Sequence, residues 1–371
     1  MEHRDQAPPS SKPPGSSRGP CSVRSWIPLP AGCGGRIPLY GHTGDCRVEV
    51  FATDPLIAGA AGWEQVGYLE EQAVCAPDGT ALCGPGEVQA ADPFRELTRR
   101  TSPITGSDLR RKRVAFVGTG ASIHLIESLV RTGLGSVALF DMDHVEPANV
   151  GRTAFLLEEC GLPKVAAARR RLLRINPRVE VRAHHGDFLA IPEEALFSEL
   201  AECDLIVMGT DAQAVQLRGN AVGYALGKPM LFPGFHARAA GGEIVVVSPG
   251  NPCYRCQVSS RFDGPRPAGE EGADLVSEPG LMVDCDHLDS IVGKIALALL
   301  CDYGSRALAS MREHVKKHSL ILSRHDPDYL IEGQDLFGER FGNDGTAFTY
   351  QTLWFDPSPW RNPACPVCGA P

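Results

Sequence analysis

Apolar residues follow two different rhythms along this chain. From Arg113 onward VAFVG, VALFD, DLIVMG and MLFPG are unbroken apolar runs closed by Gly or Asp. Strands covered on both faces read this way, because neither face meets water. Between the runs, residues 123–131, 164–175 and 212–225 carry apolar positions three and four apart, the mark of a helix with one buried side. The alternation predicts an α/β, doubly wound, mostly parallel sheet. A further amphipathic helix is expected over 288–300, after a stretch rich in Gly, Pro and acid between 261 and 280 that reads as a mobile loop.

The first hundred residues differ. Short apolar segments such as VEVFAT and VGYLEEQAVCA alternate with turn residues such as Ala76-Pro77-Asp78-Gly79, which predicts a small β-rich module over 36–105. Residues 1–35 are crowded with Pro, Ser and Gly and lack any hydrophobic period, so a disordered arm is expected there. The remainder, 106–371, is the large domain.

Bulk properties narrow the function. Hydrophobic residues at 43% and charged residues at 22% are those of a soluble globular chain. A net charge of -9 argues against nucleic acid, whose phosphates demand a basic surface. No apolar run approaches the roughly 18 residues of a membrane span, and the N-terminus has no signal-peptide stretch. A cytoplasmic protein without membrane or nucleic-acid partners is expected. Its thirteen cysteines, an odd number without a secretion signal, point to reduced thiols and metal ligation.

Two features carry candidate chemistry. In VAFVGTGAS, Gly118 and Gly120 lie where the first strand of the large domain turns into a helix, a Rossmann-like turn at which backbone amides can approach phosphates. The next strand ends in Asp141, about twenty residues on, where a carboxylate can accept ribose hydroxyls. Asp143, Asn149 and Arg152 crowd the segment beyond, a polar density that hydride transfer does not require. The second feature is a pair of C-x-x-C motifs, Cys253/Cys256 and Cys365/Cys368. Four thiolates complete a tetrahedral zinc ion and leave no open position, so the site is expected to be structural.

With FDMDHVEPANVGR, Gly161-Leu162-Pro163-Lys164, Ile175-Asn176-Pro177, Asp204 and Gly209-Thr210-Asp211, the large domain resembles the ThiF/MoeB/ubiquitin-activating superfamily. The resemblance implies ATP-dependent adenylation of the C-terminal carboxylate of a small ubiquitin-like or sulfur-carrier-like protein or peptide with a slender tail. It implies that Arg152 and Lys164 contact the triphosphate, Asn149 helps to position it, Asp141 holds ribose, and Asp211 holds Mg2+ or its water. The cysteine pairs match the family's zinc pairs in order and place. The resemblance also implies a homodimer and a downstream conjugating protein. The turn departs from the family where Ile123, followed by His124, stands in place of a usual glycine, and Ala212 replaces a usual asparagine.

Some family members pass the carboxylate to a cysteine. Cys285, in Met282-Val283-Asp284-Cys285-Asp286-His287, is the nearest candidate; a helix N-terminus and His287 would favour its thiolate, whereas Asp284 and Asp286 would oppose it. A buried structural role is the competing reading. Two other functions stay open at this point: a catalytically inactive scaffold of the same fold, and an NAD-dependent oxidoreductase.

Overall fold

The computed structural model describes residues 22–25, 36–44, 47–53, 58, 63–70, 73–83, 89–90, 97–106, 109–236, 239–259, 280–302, 304–326, 329–331, 333–342 and 351–369. The chain divides into two compact units, Met1–Pro93 and Phe94–Pro371. The division precedes the expected boundary because the segment around Ser102–Thr105 belongs to the second unit: Ser305 N–H donates to Ile104 O at 2.7 Å.

In the first unit, β1 (Ser22–Ser25), β2 (Arg36–Gly44), β3 (Arg47–Ala52), β4 (Glu64–Glu70), β5 (Ala73–Cys75), β6 (Ala81–Cys83) and β7 (Gln89–Ala90) make one sheet in the order β6-β5-β4-β2-β3-β1-β7. Alternate residues such as Val48 and Val50 turn inward to join Val23, Leu39, Val66, Leu69 and Val74 in its core. Strand β1 corrects the expectation of a disordered arm at Ser22–Ser25, since it pairs in parallel with β3 and β7. The rest of 1–35 lies outside the described residues, as does 260–279 of the expected loop.

The second unit is built on β8 (Arg113–Val117), β9 (Ser136–Asp141), β10 (Glu180–His185), β11 (Leu205–Met208), β12 (Met230–Phe235), β13 (Gly241–Val247), β14 (Leu320–Arg324) and β15 (Gln351–Phe355), in the order β10-β9-β8-β11-β12-β13-β14-β15. The first five are parallel and the last three antiparallel. The helices used below are α1 (Ile123–Thr132), α2 (Pro147–Val150), α3 (Lys164–Ile175), α4 (Glu193–Ala201), α5 (Gln213–Ala225), α6 (Tyr254–Gln257) and α7 (Met282–Leu300).

The unbroken apolar strands serve both faces. Val114, Phe116, Val137 and Leu139 pack with α1, α3 and α7 on one side. Their neighbours Ala115, Val117, Ala138 and Phe140 pack with residues of α4 and α5 on the other. Helix α7 begins six residues before the sequence pattern placed it, because Asp284, Asp286 and His287 interrupt its apolar period, which becomes legible only from Leu288.

This topology fixes where a ligand can go. Strand order reverses between β8 and β11, so the connections leaving their carboxyl ends part to opposite sides and open a crevice there. The turn at Gly118 and the turn at Gly209 bound that crevice.

Candidate nucleotide and thiol sites

Gly118 sits at φ +89°, a left-handed conformation that side chains resist. A Cβ on it would lie 2.6 Å from Gly209 O, so the tips of β8 and β11 touch through bare backbone. Its N–H donates to Phe140 O at 2.8 Å, continuing the ladder toward β9. At Gly120 the nearest atom to an added Cβ is Lys164 Nζ, at 3.6 Å. The ammonium therefore stands directly over the turn.

Asp141, at the end of β9, is organised by that same turn. Thr119 donates to its Oδ2 through the backbone N–H at 2.7 Å and the hydroxyl at 2.8 Å. Asp143 N–H donates to Oδ1 at 2.9 Å. A carboxylate has about four lone-pair directions, so the pose is fixed while acceptor capacity remains. Thr119 was not singled out in the sequence, since its only local signal is a place between two glycines.

Lys164 opens α3, with its N–H donating to Asp143 O at 2.9 Å and its Nζ donating to Asp143 Oδ2 at 2.8 Å. Asp143 thus acts on the lysine as well as on Asp141. Asn149 closes a capping box at α2, its Oδ1 accepting from Glu146 N–H at 3.0 Å. The half-buried Arg152 follows directly, its N–H donating to Asn149 O at 3.1 Å. Asn149 accordingly shapes the bend that carries Arg152. Asp211 is exposed just past β11, two residues beyond the glycine that touches Gly118. The structure thus gathers Gly120, Asp141, Asp143 and Lys164 around the Gly118 turn, with Asp211 two residues past the Gly209 that touches Gly118.

Residues 98–315, more than half of the chain, match the ThiF family. The chain belongs to the ThiF family. Among relatives of this ThiF-family chain, a sulfur carrier protein adenylyltransferase of Thermus thermophilus is 28% identical over 273 residues, covering 70% of this chain and 83% of that one. Ubiquitin-like modifier-activating enzyme 5 of Xenopus laevis is 31% identical over 184 residues, 46% of each chain; the chain spans about half the length of such relatives. Among solved structures, E. coli MccB with MccA-N7isoASN superposes with a TM-score of 0.52 at 17% identity, over 72% of this chain and 69% of that one. That likeness is one of fold.

The ThiF-family unit carries its second site at the far end of the chain. Cys253 and Cys256 flank the start of α6, and Cys365 and Cys368 come from the last turns. All four are buried, and their sulfurs lie within 4.8 Å of one another. Cys253 Sγ is 3.7 Å from Cys365 Sγ, and Cys256 Sγ is 3.5 Å from Cys368 Sγ. A tetrahedral zinc ion with bonds of about 2.3 Å spaces its sulfurs about 3.8 Å apart, so this donor set fits zinc. Burial pushes the Cys256 thiol up to about 11. Burial pushes Cys365 up too, but backbone N–H groups of Cys368 and Val367 outweigh it and hold that thiol down at about 7. Such donors favour thiolate, the form that binds metal.

Cys285 lies in the first turn of α7, as expected, but its thiol is pushed up to about 11. Burial is the largest cause and the Asp289 carboxylate adds to it, while the Arg152 guanidinium pulls the other way. The helix N-terminus does not make a thiolate here, because desolvation and neighbouring carboxylates dominate. The sequence also left unread what faces this turn across α1. His124 Nδ1–H donates to Asp286 Oδ1 at 2.5 Å, and Leu125 N–H donates to Asp289 Oδ2 at 3.3 Å. These pairs span more than 160 sequence positions, so no local pattern could announce them.

Proposed function

We propose that this protein is an adenylyltransferase that uses ATP to activate the C-terminal carboxylate of a small ubiquitin-like or sulfur-carrier-like protein or peptide, releasing pyrophosphate. The observation that carries the reading is Lys164 Nζ standing 3.6 Å from the Cβ position of Gly120, above a turn whose middle residue, Thr119, fixes Asp141. Names of relatives, sulfur carrier protein adenylyltransferase and ubiquitin-like modifier-activating enzyme, support it. They also leave the oxidoreductase and scaffold readings without support.

In this reading the carboxylate oxygen of the partner's tail attacks the α-phosphorus of ATP, and pyrophosphate departs. Lys164 exchanges its ion pair with Asp143 for the phosphates, and Arg152 neutralises charge that builds on the leaving group. Backbone N–H groups of the Gly118–Gly120 turn cradle the phosphates, and Asp141 accepts from the ribose. Asp211 would hold Mg2+, a hard cation that would supply charge neutralisation to the phosphates. Gly234, near the end of β12, leaves room for the backbone of a slender tail such as one ending in Gly-Gly. Zinc on Cys253, Cys256, Cys365 and Cys368 is structural. The working unit is a cytoplasmic homodimer that hands its product to a downstream conjugating protein. A thioester on Cys285 is left out of the scheme, because burial keeps that thiol protonated.

Exchange of labelled pyrophosphate into ATP, driven by a sulfur-carrier protein ending in Gly-Gly, tests the reading. Asp211→Ala should remove exchange by about a hundredfold or more while circular dichroism and zinc content stay as in wild type. Full exchange in that variant would take Asp211 out of the scheme, and a silent wild type would reject the adenylation reading.

A further inference from the structure

An acyl-adenylate is an intermediate, so something must take the acyl group from it. The inference drawn here rests on the adenylation reading and concerns that second step. Helix α1 starts three residues after Gly120, and its second residue, His124, meets Asp286 of α7 at 2.5 Å. The side chains of His124 and Asp286 are 44% and 31% exposed. The carboxylate fixes Nδ1 as the protonated nitrogen, which leaves Nε2 as the acceptor in the neutral ring. Carboxylate-held imidazoles of this kind serve as bases in acyl transfer. Neither residue is used in the adenylation scheme.

The surroundings select the nucleophile. Helix α7 brings the carboxylates of Asp284 and Asp286 to this side beside Cys285, the buried Asp289 keeping its proton, and Arg152 is a cation whose field reaches Cys285. Lys164, from α3, is engaged with Asp143. On α1 itself, Glu127 is bound to Arg171. Net negative charge disfavours an anionic sulfur nucleophile and does not oppose a neutral amine.

We propose that His124, oriented by Asp286, is the proton acceptor for a primary amine that enters from solvent and takes the acyl group from the adenylate, forming an amide. The amine nitrogen bonds to the carbonyl carbon, and the adduct's ammonium proton passes to His124 Nε2. The carbon–oxygen bond to phosphate then breaks, its electron pair leaving with AMP, and His124 returns the proton to solvent. His124 touches the reacting nitrogen; Asp286 is a positioning residue.

The test uses the full chain, ATP, a Gly-Gly-ending sulfur-carrier protein and methylamine. Intact mass should find the carrier's N-methyl amide. His124→Gln should slow amide formation by about a hundredfold, with pyrophosphate exchange changing by less than a few-fold. Asp286→Asn should fall between wild type and that variant. Equal loss of exchange and amide formation would reduce His124 to a support of the nucleotide turn. Undiminished amide formation in His124→Gln, or acyl transfer to 2-mercaptoethanol but not to methylamine, would overturn the proposal. Absence of exchange in the wild type would instead strike the adenylation reading.

Discussion

Gly118 and Gly120 look alike in the sequence and are held by opposite constraints. Gly118 is required by the fold: its φ of +89° and the Gly209 carbonyl at 2.6 Å leave no place for a Cβ. Gly120 has ordinary room, its nearest neighbour being the end of a flexible lysine at 3.6 Å. Gly118→Ala should therefore destabilise the protein by about 1–3 kcal/mol through backbone strain, read as a lower midpoint in urea. Gly120→Ala should leave that midpoint nearly unchanged and weaken ATP binding, measured by calorimetry, because the methyl group takes the space that phosphate needs. A reversal of the two outcomes would refute this division. At this scale the sequence disclosed the turn itself and the carboxylate beside it, since Gly and Asp recur at strand ends for backbone reasons. The Thr119 bonds to Asp141 and the raised thiol of Cys285 escaped it, because both depend on what lies across space.

Helices α1, α3 and α7 form a layer whose polar contacts are as specific as its apolar ones. Arg171 of α3 joins Glu127 of α1, its Nε donating at 2.5 Å, to Glu159 at 3.1 Å. Both carboxylates are nearly fully buried, and such groups persist inside a protein only when paired. Asp289 is a different case, since desolvation holds its carboxyl well above the ordinary range despite the Leu125 N–H bond. The unfolded chain releases this proton in the usual carboxylate range, and the folded chain only far above it. Its contribution to stability is thus fully present below the ordinary carboxylate pKa and declines as pH rises toward the folded value. Asp289→Asn should flatten that decline and raise the melting temperature at neutral pH, as differential scanning calorimetry across pH would measure. An unchanged pH slope would mean that Asp289 ionises normally. Periodicity located these helices to within a few residues, but the start of α7 was missed, because its first turn answers to α1 rather than to the sheet.

At the scale of the whole molecule, the four cysteines bring the chain's last turns against the segment that opens α6. Cys365 and Cys368 are 112 residues beyond their partners Cys253 and Cys256 in sequence, and α6 rests on the sheet through Tyr254, stacked on Phe232 at 4.1 Å. Metal at this point would close a long loop on the β12 and β13 side of the unit. Purified protein should contain about one zinc per chain, and stripping it with a chelator, or Cys365→Ser, should lower the melting temperature by several degrees. A metal-free protein of unaltered stability would discard the structural role. Among the described residues no helix is long and apolar enough to cross a membrane. The sequence by itself determined the doubly wound class, the β-rich character of the first unit, the nucleotide-type turn and the paired thiols. Each is written in short-range spacing, through side-chain period, glycine at forced backbone angles or ligand separation. Only the tertiary structure decided that Lys164 stands over Gly120, that His124 is held by Asp286, and that burial raises the Cys285 thiol. Those outcomes depend on distance, burial and field between segments far apart in the chain, which no local pattern encodes.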